Sequence, residues 1–96
     1  MGEVTATITA EDQWTKDDNG QNIKLKGLFN FSRWGDGVGN VTFQRSFDGG
    51  ITWLDTDVID SNLDTTGTEP EYEVMHRAGV KTGDYDSGTI YLRLGQ

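Results

Sequence analysis

Ser46-Phe47-Asp48-Gly49-Gly50-Ile51-Thr52-Trp53 is the stretch on which the reading of this chain turns. Val41-Thr42-Phe43-Gln44 leads into it with strand-like alternation, and Thr52-Trp53-Leu54 leads out with β-branched and aromatic residues. Between them Asp48-Gly49-Gly50 forms a short connection able to take the positive φ angles of a tight hairpin. The Asp48 carboxylate is placed to accept hydrogen bonds from turn N–H groups, and the hydroxyls of Ser46 and Thr52 to do so more weakly. Trp53 is expected to fold its ring over the corner. These eight residues describe a hairpin that fastens itself. They contain no catalytic set.

Outward from the hairpin, period-two patterning continues. Val4, Ala6, Ile8 and Ala10 alternate with threonines, predicting a half-buried strand over 4–10. Asn19-Gly20 is the strongest short hairpin signal in the chain. Ile23, Leu25, Gly27, Phe29 and Phe31 predict the strand at the centre of a sheet, with a bulge or bend at Gly27. Arg33 to Gly39 reads as a glycine-rich loop, 53–59 as the end of a strand, and 60–69 as a polar loop before Pro70. Strands follow over 74–80 and 90–94, with a turn over 81–88 between them. No window has helical periodicity. The expectation is all-β: one domain over 1–96, a small antiparallel β-sandwich, immunoglobulin-like or jelly-roll-like, of six or seven strands, with a small barrel as the alternative.

The composition supports short strands joined by many turns, since 13 of the 96 residues are glycine and one is proline. With no cysteine, disulfide staples and thiolate metal sites are excluded. A formal charge of −8 argues against gripping nucleic-acid phosphates. No apolar run approaches the roughly 20 residues of a membrane helix, and the Met1-Gly2-Glu3 start carries no leader pattern, so a cytoplasmic origin without membrane contact is expected.

Candidate chemistry is sparse. His76 is the only histidine, and its alternation with Val74 and Ala78 makes it a partly buried strand residue. Acidic groups occur at Asp17-Asp18, at Asp55, Asp57, Asp60 and Asp64, and at Asp84 with Asp86. Without the spacing of a calcium loop they read as turn and solvent-face residues. No metal, cofactor or catalytic residue is therefore assigned. Trp14, Trp34 and Tyr85 fall in predicted loops, as lids on the sandwich or as partner-binding anchors.

Two resemblances add to this reading. Ser46, Asp48, Gly50, Thr52 and Trp53 match every defined position of S-x-D-x-G-x-T-W, the pattern known as the Asp-box in sialidases and in many unrelated β-proteins. Sialidases are propellers with several such boxes and an arginine cluster. Here one box stands alone and Arg33, Arg45, Arg77 and Arg93 are scattered, so the likeness implies structure and no glycosidase. The phrases from Gly39 to Trp53 and from Arg77 to Thr89, with Phe29-Asn30-Phe31-Ser32, resemble a family of small tailed-phage and prophage proteins over roughly residues 23–96. That resemblance implies a non-enzymatic virion structural protein made in the host cytoplasm. A decoration or cement protein on the major capsid protein lattice leads, then a tail, neck or baseplate component. A homotrimer would suit such a lattice. The segment Arg33 to Val38 is longer and more charged than the family's turn. The rival from another class is a carbohydrate-binding module, which exposed aromatics would serve.

Overall fold

The computed structural model describes residues 2–96, leaving aside the side chains of Tyr72 and Glu73. Nine strands follow one another: β1 (Glu3–Ile8), β2 (Gln13–Trp14), β3 (Ile23–Trp34), β4 (Val38–Gly39), β5 (Val41–Ser46), β6 (Leu54–Ile59), β7 (Leu63–Val80), β8 (Tyr85–Ser87) and β9 (Ile90–Gly95). Seven form one antiparallel sheet in the order β1-β9-β3-β7-β5-β6, with β2 also on β7, while β4 and β8 make a separate ribbon. The fold is an all-β sandwich.

Its corner lies in the β3–β7 ribbon. Leu25 pairs with Val74, but the next pair is Gly27 with Glu69, so one residue of β3 opposes four of β7. Gly27 adopts φ +67° there, a conformation that a side chain disfavours. Pro70 sits in the bulge, where no ladder N–H is required of it. Before the bulge, the first half of β7 pairs with β3, and β3 in turn with β9 and β9 with β1. Beyond it, the second half of β7 pairs with β5, and β5 with β6. These are the two layers. Phe31 and Phe43 meet edge to face between them at 4.4 Å, among buried Val4, Ile8, Val41, Ala78, Val80, Ile90, Leu92 and Leu94.

One seam between the layers is laced shut. Thr15 N–H donates to the Ala78 carbonyl, Ala78 N–H donates to Thr15 Oγ1, and Lys16 exchanges backbone hydrogen bonds with Thr5. The opposite seam, between β6 and the first half of β7, has no ladder across it among the described residues.

Several expectations need correction. Nine strands replace six or seven. Residues 63–69, read as loop, form the first half of β7; the expected 33–39 loop contributes the end of β3 and all of β4. The first strand ends at Ile8 rather than Ala10. Asn19-Gly20 makes a tight turn fastened by Asp17 Oδ1, yet β3 then joins β7 and β9 instead of hairpinning back on β2. Asp55 and Asp57 lie on opposite faces, because a bulge between Phe43 and Gln44 inserts Thr56 and reverses the alternation.

Candidate functional site

The 46–53 hairpin is fastened through Asp48. Its Oδ1 accepts from Thr52 N–H at 2.8 Å, from Ile51 N–H at 3.2 Å and from the Ser46 hydroxyl at 2.8 Å. Ser46 Oγ accepts in turn from Gly50 N–H, and Trp53 Nε1 donates to the Gly50 carbonyl. Gly49 and Gly50 take φ +77° and +92°. The Thr52 N–H, then the Thr52 and Ser46 hydroxyls, lower the Asp48 pKa to about 2. The carboxylate itself is exposed, so the turn is locked at the surface rather than inside the core.

With those five residues occupied by the turn, the residues between them face solvent. Ile51 is 85% exposed and Phe47 56%, and Leu54 follows at 50%. Sequence reasoning passed over Phe47 and Ile51 because they fill undefined positions of the motif. The signal was there: large apolar residues at turn positions that the turn does not use.

The three aromatics singled out from sequence have different surroundings, and all lie in strands rather than loops. Trp14, in β2, stacks on the Arg77 guanidinium at 3.9 Å, and the same guanidinium lies over the Trp53 ring at 4.3 Å. Arg77 Nε also donates to Gln44 Oε1. Gly79 leaves the space that Trp14 occupies, since a Cβ there would lie 2.7 Å from the indole. Trp14 thus clamps the outer face of β5 and β7. Tyr85, in β8, is half-buried and donates its hydroxyl to the Gly88 carbonyl. Trp34 is exposed at the end of β3, stacked on Tyr91 of β9 with ring centres 5.6 Å apart. On the same sheet face run Arg93, Asn30, Ser32 and Asp64, joined by hydrogen bonds.

A cleft of about 350 Å³ occupies the open seam. Phe29, Phe31, Phe43 and Ile59 give it an apolar wall, and Thr56 and Asp57 of β6 face residues 65–70 of β7 across it. At its base Glu69, 1% exposed, accepts from Arg45 Nε at 2.7 Å and Arg45 Nη2 at 2.6 Å. The Glu71 N–H at 2.9 Å and His76 Nε2 at 2.7 Å complete its shell. Burial opposes the Glu69 charge, but the hydrogen bonds from Arg45, Glu71 N–H and His76 outweigh it and the pKa falls. Burial lowers the His76 pKa despite Glu69, so the imidazole is neutral near pH 7. His76 Nδ1 has no hydrogen-bond partner among the described residues. Arg45 and His76 are both held by the one carboxylate of Glu69, and among the described residues no nucleophile is paired with the imidazole. Among the described residues no group of three or more His, Asp or Glu side chains is disposed to hold a metal ion.

Comparison with family models, with curated proteins and with solved structures finds no match to this chain.

Proposed function

We propose that this protein is a non-enzymatic component of a tailed-phage virion, attached to the major capsid protein lattice as a decoration or cement protein. The observation that carries the reading is the hairpin tip, where Phe47 and Ile51 stand out from a turn locked by Asp48. Large apolar side chains held in solvent on a rigid element are the usual form of a protein-binding anchor. The resemblance of residues 23–96 to small phage proteins supplies the particle. A capsid repeats its sites, so modest affinity per contact suffices once several are engaged, as in a homotrimer.

The test is rebinding to particles stripped of this protein. Each anchor is worth about 2 kcal/mol, near thirtyfold in affinity, so Phe47→Ala with Ile51→Ala should leave the particle largely bare at concentrations that saturate with wild type. Full occupancy by the folded double variant would remove the hairpin from the interface. Electron cryomicroscopy of the intact particle separates a capsid position from a tail, neck or baseplate position.

The Trp34–Tyr91 stack beside a polar sheet face favours a second reading, a carbohydrate-binding module. Glycan-array binding that is lost in Trp34→Ala would support that reading over the first.

A further inference from the structure

The open seam is bordered by two strands that each lack a neighbour. β6 ends the sheet order, with β5 on its only paired side. The first half of β7, from Leu63 to Glu69, is paired through its ladder with β3 alone. Between them Phe29 and Ile59 are left partly uncovered, with Phe31 and Phe43 buried behind them. Gly67 lets the Phe29 ring lie against β7 at this point, because a Cβ there would come within 2.7 Å of the ring. The opposite seam shows what is missing. There the Thr15-Lys16 segment lies between β7 and β1 and closes the layers.

The charges on the two edges are one-sided. β6 reads Leu-Asp-Thr-Asp-Val-Ile, and residues 63–70 read Leu-Asp-Thr-Thr-Gly-Thr-Glu-Pro. Neither stretch contains a lysine or arginine, the residues with which soluble proteins most often guard an exposed edge. Asp57 lines the cleft, and the only arginine there, Arg45, is held by Glu69 and Glu71. A second copy is a poor occupant, since pairing two β6 edges would bring Asp55 and Asp57 against their own counterparts.

We propose that the cleft receives an extended segment of a different protein, apolar at alternate positions and carrying lysine or arginine, which adds a strand in the seam between β6 and the first half of β7. Main-chain hydrogen bonds to strand edges without a neighbour give affinity to such an added strand, in place of side-chain caps such as Asp57 on the Val58 N–H, and pockets for alternate side chains give it specificity. Here Phe29 and Ile59 take the apolar side chains and Asp57 meets the basic one. The inference rests on the reading of the chain as a binding protein and does not depend on which particle it binds.

A ten-residue peptide of alternating lysine and valine, titrated into the isotopically labelled full chain, tests it. The amides of 54–59 and 63–69 should shift, and their hydrogen exchange should slow at least tenfold when the peptide saturates. A glutamate–valine peptide of the same length should bind at least tenfold more weakly. Asp57→Lys, a change at an exposed position, should narrow or reverse that preference while leaving the circular dichroism spectrum unchanged. The proposal is overturned if neither peptide binds, if both bind equally, or if the shifts map to the Trp34–Tyr91 face. Peptide binding together with failed capsid rebinding would keep the cleft and discard the virion reading; the converse would keep the virion reading and discard the cleft.

Discussion

Replacing Glu69 by alanine removes the acceptor that holds polar groups of β5 and β7 at the base of the cleft. The Glu69 side chain is 1% exposed and accepts four hydrogen bonds, two of them from Arg45. Breaking a buried ion pair from one side costs roughly 3–5 kcal/mol, because the abandoned charge keeps its desolvation penalty. Arg45 is 23% exposed and retains Glu71 at 3.2 Å, which places the cost near the lower end, about 3 kcal/mol. A chain of this size is stable by about 5–15 kcal/mol, so the variant loses a large share of its margin. With an m-value of roughly 1.5 kcal/mol/M in urea, the midpoint should fall by about 2 M without a change of slope. The triple variant Arg45→Met, Glu69→Leu, His76→Phe should recover most of that loss, since it strands no charge. A Glu69→Ala midpoint within about 0.3 M of wild type would refute the reasoning. So would a triple variant no more stable than the single one.

Acid should destabilise the protein from about pH 6.5 downward. His76 has a lowered folded pKa, so in that range the unfolded chain binds a proton that the folded chain does not; His76→Phe should flatten the loss between about pH 6.5 and 5 in urea melts at stepped pH. The Glu69 pKa is also lowered, so its contribution is full above about pH 4.5 and is lost as pH falls through its folded value. Arg77→Lys should cost about 1–2 kcal/mol and change the tryptophan fluorescence, because a compact ammonium cannot lie flat between Trp14 and Trp53. Gly79→Ala should cost about 1–3 kcal/mol and loosen β2 in hydrogen exchange, the added methyl meeting the Trp14 ring and the Gln13 carbonyl.

The parts of the fold legible in the sequence are those with one buried face. β3, β5, β9 and the second half of β7 each put alternate apolar side chains into the core, and each was read from that alternation. The first half of β7 was not legible. Its inward residues Thr65, Gly67 and Glu69 look into an open cleft, so nothing required them to be apolar and the segment reads as loop. The hairpin was legible because turn chemistry is local, its donors and acceptors lying within six residues of one another. The cleft was not. Arg45, Glu69 and His76 come from two strands and meet only because the bulge at Pro70 sets the register of β7 against β3 and β5. Trp14 was misplaced for a similar reason: its partner Arg77 lies 63 residues away.

An open seam with two edges that lack a neighbouring strand is ordinarily a route to aggregation, and here it lies in the same molecule as an exposed apolar hairpin. Charge is the feature that separates useful pairing from harmful pairing. At −8, copies of the chain repel one another at long range, and the carboxylates of both edges oppose strand-to-strand contact at short range. The same charges attract a basic strand or a basic patch. Salt therefore acts on the two processes in opposite directions: it weakens attachment to a cationic partner and relieves the repulsion between copies. Phe47 and Ile51 respond to neither change, because apolar burial is not screened by moderate salt. If hairpin and cleft both contribute to attachment, occupancy should fall with salt to a plateau set by the hairpin. Truncating Phe47 and Ile51 should lower that plateau while leaving the salt-dependent part in place.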